Sequence, residues 1–404
     1  MNKFNALAEF DKVIDRRGTS CLKYDFAVER GMPADVLPFW VADMDFQTPA
    51  PVVEELVRRS RHGIFGYTDV KDDYREVLRR WFIERHAWEP NTAALVVTPG
   101  VVFALCTAVR ALTNPEDAVL VCPPVYYPFF AAIKENGRRL VESPLVLREK
   151  ADEKLAYEID FADFERKIVE NNVKMFLLCS PHNPVGRVWT RYELAAIGEI
   201  CLRRGVLVVA DEIHQDFVRR GFTHTVFAAL SPEIADITVT CTAPSKTFNL
   251  AGLQISDVFI DNEKLRRKFK REISAAGYSQ PNAMGLFAAK AAYEHGGQWL
   301  NNLLSYLENN LLFAEKFLAD NLLAVRLVEP EGTYLLWLDF SAYGFEGKEL
   351  DEIISRKAKL WLDDGHIFGT GGAGFTRINI ACPQSVLKEG LERLANCFKG
   401  RMHK

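Results

Sequence analysis

The chain has 404 residues, of which 48% are hydrophobic and 26% charged, and its formal net charge is −4 at pH 7. Such a composition is typical of a globular protein, and the length is sufficient for two domains. The slight acidic excess argues against binding to nucleic acid or to an anionic membrane, and no apolar run approaches the roughly 20 residues of a membrane span.

The eight cysteines are scattered and have neither CxxC nor Cys/His ligand spacing. Most lie in apolar stretches, where cysteine acts as a small hydrophobic residue. The N-terminal residues have no apolar core followed by a small-residue cleavage site. We therefore expect a reduced, cytoplasmic protein without a signal peptide and without a metal site.

The first elements in chain order are an irregular segment, residues 1–44, and two helices. The sequence Leu37-Pro-Phe-Trp-Val-Ala-Asp-Met-Asp45 at the end of this segment is interpreted as a positioned loop, and a helix-capping role for Asp45 is equally compatible with the sequence. Helical periodicity then covers Ala50–His62 and Asp72–Ala87. Between them, Phe65-Gly-Tyr-Thr68 predicts an aromatic loop that faces solvent unless a partner or ligand covers it.

From residue 94 onwards, strands and helices alternate. The apolar runs that predict strands are Ala94–Val97, Ala118–Cys122, Val173–Cys179, Val206–Ala210, Ile237–Cys241 and Gln254–Ile260. This alternation predicts an α/β fold with a mostly parallel sheet between helices. The loops that follow the strands are expected along one edge of that sheet.

The last part of the chain changes character. Helical stretches occupy 262–326, and shorter strands, a Gly-rich loop at 369–374 and a final amphipathic helix follow. This α+β pattern predicts a smaller second domain. We therefore expect a large domain at 45–290 and a small domain formed by 1–44 together with 291–404.

Lys246 lies just past the C-terminal end of a predicted strand, among small or apolar neighbours. Ligands bind at such strand ends in open α/β sheets. A lysine in a partly dry pocket loses some of its preference for the charged form and can act as a nucleophile or base. On this stretch alone, a lysine that merely ends a loop is equally compatible with the sequence.

Two further polar residues follow predicted strands. Asp211 ends the run VLVVAD, where a carboxylate either caps a helix or pairs with a buried cation, such as the protonated ring nitrogen of pyridoxal phosphate (PLP). Asn183 lies in the turn SPHNPVG and either serves the turn or donates to a phenolate oxygen. Tyr126 either packs in the core or stacks on a flat ring.

Three other positions complete the candidate set. The start of a helix at Gly100–Val102 offers free N–H groups to a phosphate. Arg377 is suited to a substrate carboxylate, or else to a surface ion pair. His214 either acts as an acid or base at the site or is an ordinary core histidine.

In this order, the motifs resemble the fold-type I PLP enzymes of the aspartate aminotransferase superfamily, and within them the MalY/PatB-type cystathionine β-lyases, or C–S lyases. The segments that carry the resemblance are DRRGTS, PFWVADMDF, FGYT, TPGVV, PPVYYPFF, SPHNPVGRVW, ADEIHQDF, APSKTFNLAGLQ, GTYLLWLDF and GFTRINIACP. They extend from Asp15 to the C-terminal part of the chain.

The resemblance implies a role for each candidate. Lys246 would bind PLP covalently, and Asp211 would pair with the ring nitrogen of PLP. Asn183 would bind its 3′-oxygen, and Tyr126 would stack on the ring. The phosphate would be held by Val101, Val102 and Ser245. Arg377, with Val41 and Ala42, would bind the α-carboxylate of an amino-acid substrate, and His214 would lie near the 3′-oxygen. Tyr67 would reach the phosphate of a neighbouring subunit, so the resemblance implies a homodimer with shared active sites.

Two positions depart from the pattern of the superfamily. Ser180 replaces a usual asparagine, and Gln254 replaces the arginine with which aminotransferases bind the phosphate. The absence of this arginine favours a lyase, but an aminotransferase and a PLP-bound regulatory protein remain alternatives. A nicotinamide-dependent dehydrogenase is disfavoured because no GxGxxG motif follows the first strand.

Overall fold

The computed structural model describes residues 7–345 and 348–400. The parts of the predicted small domain at 1–6, 346–347 and 401–404 therefore lie outside the described residues.

The described strands, in chain order, are β1 (Leu37–Pro38), β2 (Leu95–Thr98), β3 (Ala118–Val121), β4 (Arg139–Glu142), β5 (Val146–Glu149), β6 (Leu155–Glu158), β7 (Val173–Cys179), β8 (Leu207–Asp211), β9 (Thr238–Thr242), β10 (Ser256–Phe259), β11 (Arg326–Leu327), β12 (Leu335–Asp339), β13 (Leu360–Trp361), β14 (Asp363–Asp364) and β15 (Phe375–Asn379).

The described α-helices are α1 (Ala50–His62), α2 (Asp72–His86), α3 (Val101–Leu112), α4 (Pro128–Lys134), α5 (Phe161–Asn171), α6 (Arg191–Arg204), α7 (Pro232–Asp236), α8 (Pro244–Thr247), α9 (Glu263–Ala275), α10 (Ala283–His295), α11 (Gly297–Asn321), α12 (Glu349–Glu352) and α13 (Gln384–Phe398). The two helices predicted between residues 50 and 87 are thus confirmed, the second ending one residue earlier than expected.

The main sheet has seven strands in the order β2-β10-β9-β8-β7-β3-β4. The five strands from β9 to β4 pair in parallel, as predicted. Strand β10 is antiparallel to both of its neighbours. The interior strand β7 has the sequence VKMFLLC and is almost entirely buried, which is the pattern of a strand covered on both faces.

This topology places the functional loops at one edge of the sheet. Because β10 runs against both β2 and β9, β2 has the same direction as the parallel strands. The residues that follow β2, β7, β8 and β9 therefore emerge together at the carboxyl edge, where ligands bind in α/β sheets.

A second, antiparallel sheet has the order β11-β12-β15-β14. Its register places Arg377 of β15 opposite Trp337 of β12 on one side and opposite Asp363 of β14 on the other. The N-terminal segment joins this part of the molecule, since β1 pairs in parallel with β13. The domain bounds at 44 and 290 stay predictions, and the second falls inside α10.

The eight cysteines all lie in the described ranges, and none of them forms a disulfide bond. Within the described ranges, no helix has both the length and the apolar character that crossing a bilayer requires.

Candidate active site

Lys246 lies in α8, the short helix that follows β9. Its Nζ donates a hydrogen bond to the backbone oxygen of Ala42 at 2.7 Å. Burial lowers the pKa of this amine from 10.5 to about 8, and the positive charge of Arg377 adds to the effect, while Asp43 and Asp211 oppose it. A substantial fraction of the amine is therefore neutral near physiological pH, as a nucleophile or base requires.

Lys246 opens onto a cavity of about 390 Å³ at the carboxyl edge of the main sheet. The predicted site residues that line this cavity are Ala42, Val101, Val102, Tyr126, Asn183, Asp211, His214, Ser245 and Lys246. The structure thus brings together in one cavity residues from six separate stretches of sequence. The residues that sequence reasoning did not assign to the lining include Phe103, Cys179 and Ile213.

Asp211 is the last residue of β8 and is almost completely buried. The hydrogen bond described for its carboxylate comes from the amide N–H of Ile213, at 3.2 Å. Burial raises the pKa of Asp211 from 3.8 to about 7, because little in the protein compensates the charge of the ionised form. Such a carboxylate favours a cationic ligand beside it.

His214 lies three residues further along, and its ring is buried. Burial and the nearby positive charges of Lys246 and Arg377 hold its pKa well below the ordinary value, so the imidazole is neutral. Among the described residues, its Nδ1 atom has no hydrogen-bond partner. The ring packs edge-on against Tyr334, with 5.8 Å between the ring centroids.

The start of α3 also lines the cavity. Gly100 is the N-cap of this 12-residue helix and provides no side-chain cap, so the first N–H groups remain available to a ligand. Gln254 also lines the cavity, and Lys246 is the one cationic side chain among the lining residues. An anion bound here would therefore be held mainly by backbone N–H groups and the helix dipole.

Arg377 is 2% exposed and does not line this cavity. Its Nη1 donates to Oδ1 of Asn183 at 2.8 Å, and its Nη2 donates to the backbone oxygen of Trp40 at 2.8 Å. Nη2 also forms an ion pair with the carboxylate of Asp363. The alternative role predicted for Arg377 was a surface ion pair. Arg377 does form an ion pair, but the pair is buried.

The backbone of residues 40–43 lies between Lys246 and Arg377. Besides Lys246, the hydroxyl of Tyr334 donates to the oxygen of Ala42, at 2.9 Å. The amide of Asn379 donates to the backbone oxygens of Val41 and Asp43, both at 2.7 Å. No role was predicted from the sequence for Tyr334 or Asn379, although both lie in segments that carry the family resemblance, GTYLLWLDF and GFTRINIACP.

An ionic cluster in the N-terminal segment holds the same loop from the other side. Arg16 pairs with Asp43 at 2.6 Å and with Asp45 at 2.8 Å. The buried Lys23 pairs with Asp45 at 2.9 Å. These contacts confirm that the loop is positioned, and they show that Asp45 binds cations rather than capping a helix.

Tyr67 does not approach the cavity of its own chain. Its side chain is 97% exposed, and it borders a different surface depression, formed largely by α1 and α10. Val41 likewise lies outside the cavity and borders an adjoining cleft, which Lys246 also lines. The predicted role of Tyr67 thus requires a second chain.

The residues of the cavity fit PLP. The uncompensated carboxylate of Asp211 suits a protonated ring nitrogen, the uncapped N-terminus of α3 suits a phosphate, and the amine of Lys246 suits the aldehyde. The individual roles of these residues stay predictions.

Comparison with known proteins gives a consistent picture. The family described as aminotransferase class I and II matches residues 34–394. The chain is 45% identical to cystathionine beta-lyase PatB of Bacillus subtilis, over 95% of this chain and 98% of that protein. It is 32% identical to protein MalY of Escherichia coli, over 97% and 99% of the two chains. Among solved structures, cystalysin from Treponema denticola, which contains PLP, matches with a TM-score of 0.92 and 38% identity, over 96% and 98%.

Proposed function

The chain belongs to the aminotransferase class I and II family, and we propose that it is a PLP-dependent carbon–sulfur β-lyase. Its fold is that of the fold-type I PLP enzymes, as the sequence predicted. The reaction is α,β-elimination from an S-substituted L-cysteine such as L-cystathionine, which yields a thiol, pyruvate and ammonia. The observation that carries this proposal is the end-to-end similarity to a cystathionine β-lyase, combined with the cavity around Lys246 and Asp211.

The bound cofactor would supply an electron sink for the electron pair that is left at Cα when its proton is removed. Asp211 would hold a negative charge beside the ring nitrogen and so keep that nitrogen protonated. Asn183 and Tyr126 would orient the ring, and the N–H groups at the start of α3, with Ser245, would hold the phosphate.

Arg377 would bind the substrate α-carboxylate, with the Val41–Ala42 backbone covering the bound amino acid. Lys246, released when the substrate amine takes its place on the cofactor, would take the Cα proton, since its pKa of about 8 leaves a substantial fraction of the amine unprotonated. The Cβ–S bond then breaks and sulfur leaves with the bonding electrons. The ammonium of Lys246 returns a proton to the thiolate, and water hydrolyses the remaining three-carbon product to pyruvate and ammonia.

The neutral His214 fits a role in shaping the pocket beside the ring better than a role as a cationic acid. We also propose a homodimer in which Tyr67 of each chain reaches the site of the other, which is supported by the exposure of the aromatic side chains of Phe65 and Tyr67 in the single chain. A cytoplasmic location is proposed because none of the eight cysteines forms a disulfide bond.

The test is an absorbance spectrum of the purified protein, followed by L-cystathionine without a keto acid and an assay for pyruvate. A band near 420 nm, roughly where protonated PLP adducts of lysine absorb, together with pyruvate formation, is the expected result. Lys246→Ala should lose both. The band with turnover only after a keto acid is added would assign the protein as an aminotransferase instead, and the absence of the band after soaking with PLP would refute the role of Lys246.

A further inference from the structure

We propose that Asp363 competes with the substrate α-carboxylate for the guanidinium of Arg377 and so sets how tightly this site binds carboxylates. The inference rests on the proposed function, in which Arg377 is the carboxylate ligand. Asp363 is absent from the motifs that identified the site, and its position follows from the register of β14 against β15.

The donors of Arg377 are largely occupied within the protein. A guanidinium has five N–H groups. Both N–H groups of Nη2 have acceptors, the backbone oxygen of Trp40 and the carboxylate of Asp363, and one N–H of Nη1 has the side-chain oxygen of Asn183. Within the described part of the chain, the N–H on Nε is buried without a partner.

The occupied nitrogen is the one that matters for recognising a carboxylate. A guanidinium binds a carboxylate through two parallel hydrogen bonds, either along its Nε/Nη2 edge or along its Nη1/Nη2 edge. Nη2 belongs to both edges. A substrate carboxylate can therefore engage two N–H groups at once only if Asp363 or the oxygen of Trp40 gives up its hydrogen bond.

Electrostatics works in the same direction. Arg377 is 2% exposed and Asp363 is 5% exposed, so water screens their interaction poorly. The charge of Arg377 is already balanced by an internal carboxylate, and a second carboxylate on the same guanidinium is repelled by the first. Asp363 therefore weakens substrate binding while it keeps Arg377 oriented, and removal of its charge should strengthen binding.

The test compares the holoenzyme with its Asp363→Asn variant, in which the side chain keeps its shape and an oxygen acceptor for Arg377. The probe is propionate, which has the carboxylate of the substrate but neither its amine nor its sulfur. Its dissociation constant is measured from the change in the visible absorbance of the bound cofactor. We expect the constant to fall by about tenfold or more, because one of two negative charges that share a single cation has been removed. The KM for S-ethyl-L-cysteine should fall with it, without a rise in kcat.

Asp364→Asn is the matched control, since Asp364 is the next residue of the same strand but interacts with Asp351 rather than with Arg377. It should leave the affinity for propionate unchanged. A purely structural role for Asp363 predicts the opposite of our expectation, namely weaker binding of propionate and a higher KM. That result, or an unchanged constant in folded Asp363→Asn, would overturn the inference. If Asp363→Asn does not fold, Asp363→Ser removes the same charge and provides the same comparison.

A third variant separates this inference from the proposed function. Arg377→Gln should weaken propionate binding; if it does not, Arg377 is not the carboxylate ligand and the inference fails with it. If Arg377→Gln weakens binding and Asp363→Asn does not strengthen it, the inference alone fails. If both shifts are found but no pyruvate is formed from any S-substituted cysteine, the inference holds and the proposed reaction is wrong.

Discussion

Replacing Asp211 by asparagine should make the cofactor-free protein more stable and, at the same time, lower its affinity for PLP. Asp211 is buried with its pKa raised from 3.8 to about 7. The folded protein therefore favours the protonated carboxyl, and deprotonation of the unfolded chain above pH 3.8 draws the equilibrium towards unfolding. The resulting loss of stability grows as the pH rises and is complete above a pH of about 7.

The magnitude follows from the same shift. A difference of roughly 3 pKa units corresponds to about 4 kcal/mol in the free energy of unfolding. The shift already includes the attraction between Asp211 and the ammonium of Lys246, so the gain expected for Asp211→Asn at pH 8 is about 4 kcal/mol at most. At pH 5 the gain should shrink to about 1–2 kcal/mol.

The assay is urea unfolding of the cofactor-free protein at pH 5 and pH 8, at one protein concentration, with the PLP-binding constant measured in parallel. Asp257→Asn is the matched control, because Asp257 is also buried with a pKa of about 7 but accepts hydrogen bonds from Tyr74 and Tyr293 and lies outside the cavity. It should retain PLP affinity, whereas Asp211→Asn should lose it. A cofactor-free Asp211→Asn protein that is no more stable than the parent at pH 8, or a gain that does not depend on pH, would refute this reasoning.

Three further predictions concern the dimer, the backbone and the loop beside the lysine. Mixing inactive Lys246→Ala chains with inactive Tyr67→Ala chains should restore about a quarter of the native activity, since half of the dimers are mixed and each has one intact site; no recovery would mean that Tyr67 does not act across the dimer. Gly365→Ala should cost about 3 kcal/mol in urea unfolding, because a Cβ there overlaps backbone oxygens of the facing loop, and a loss below 1 kcal/mol would contradict this. Tyr334→Phe removes one of the two donors to the oxygen of Ala42 and should raise the KM while kcat changes little, whereas a loss in kcat alone would instead indicate that the hydroxyl transfers a proton.

Much of the fold and of the candidate cavity followed from the sequence. Apolar runs identified the strands of the main sheet, and polar residues directly after them converge because parallel strands end at the same edge. Lys246, Asp211 and Asn183 were found in this way. The direction of β10 was not predicted, since an apolar run of a few residues has the same appearance in a parallel and in an antiparallel strand.

The ion-pair partner of Arg377, and the burial of the pair, could not be predicted for a related reason. It depends on the register of β14 against β15, and the two strands contain only two and five residues. The contact between Tyr334 and Ala42 joins residues that are 292 positions apart, and no local pattern specifies it. The role of Tyr67 depends on a second chain, which neither periodicity nor a single chain reveals.

The loop at Trp40–Ala42 presents its backbone oxygens, rather than its side chains, to the two cations of the site. Every amino acid carries the same carbonyl group, so substitutions at Val41 can change the contour of the adjoining cleft without removing either hydrogen bond. The loop is therefore a favourable place for variation during evolution and in the laboratory. A library at position 41 should alter which sulfur substituents are accepted while the elimination chemistry is retained.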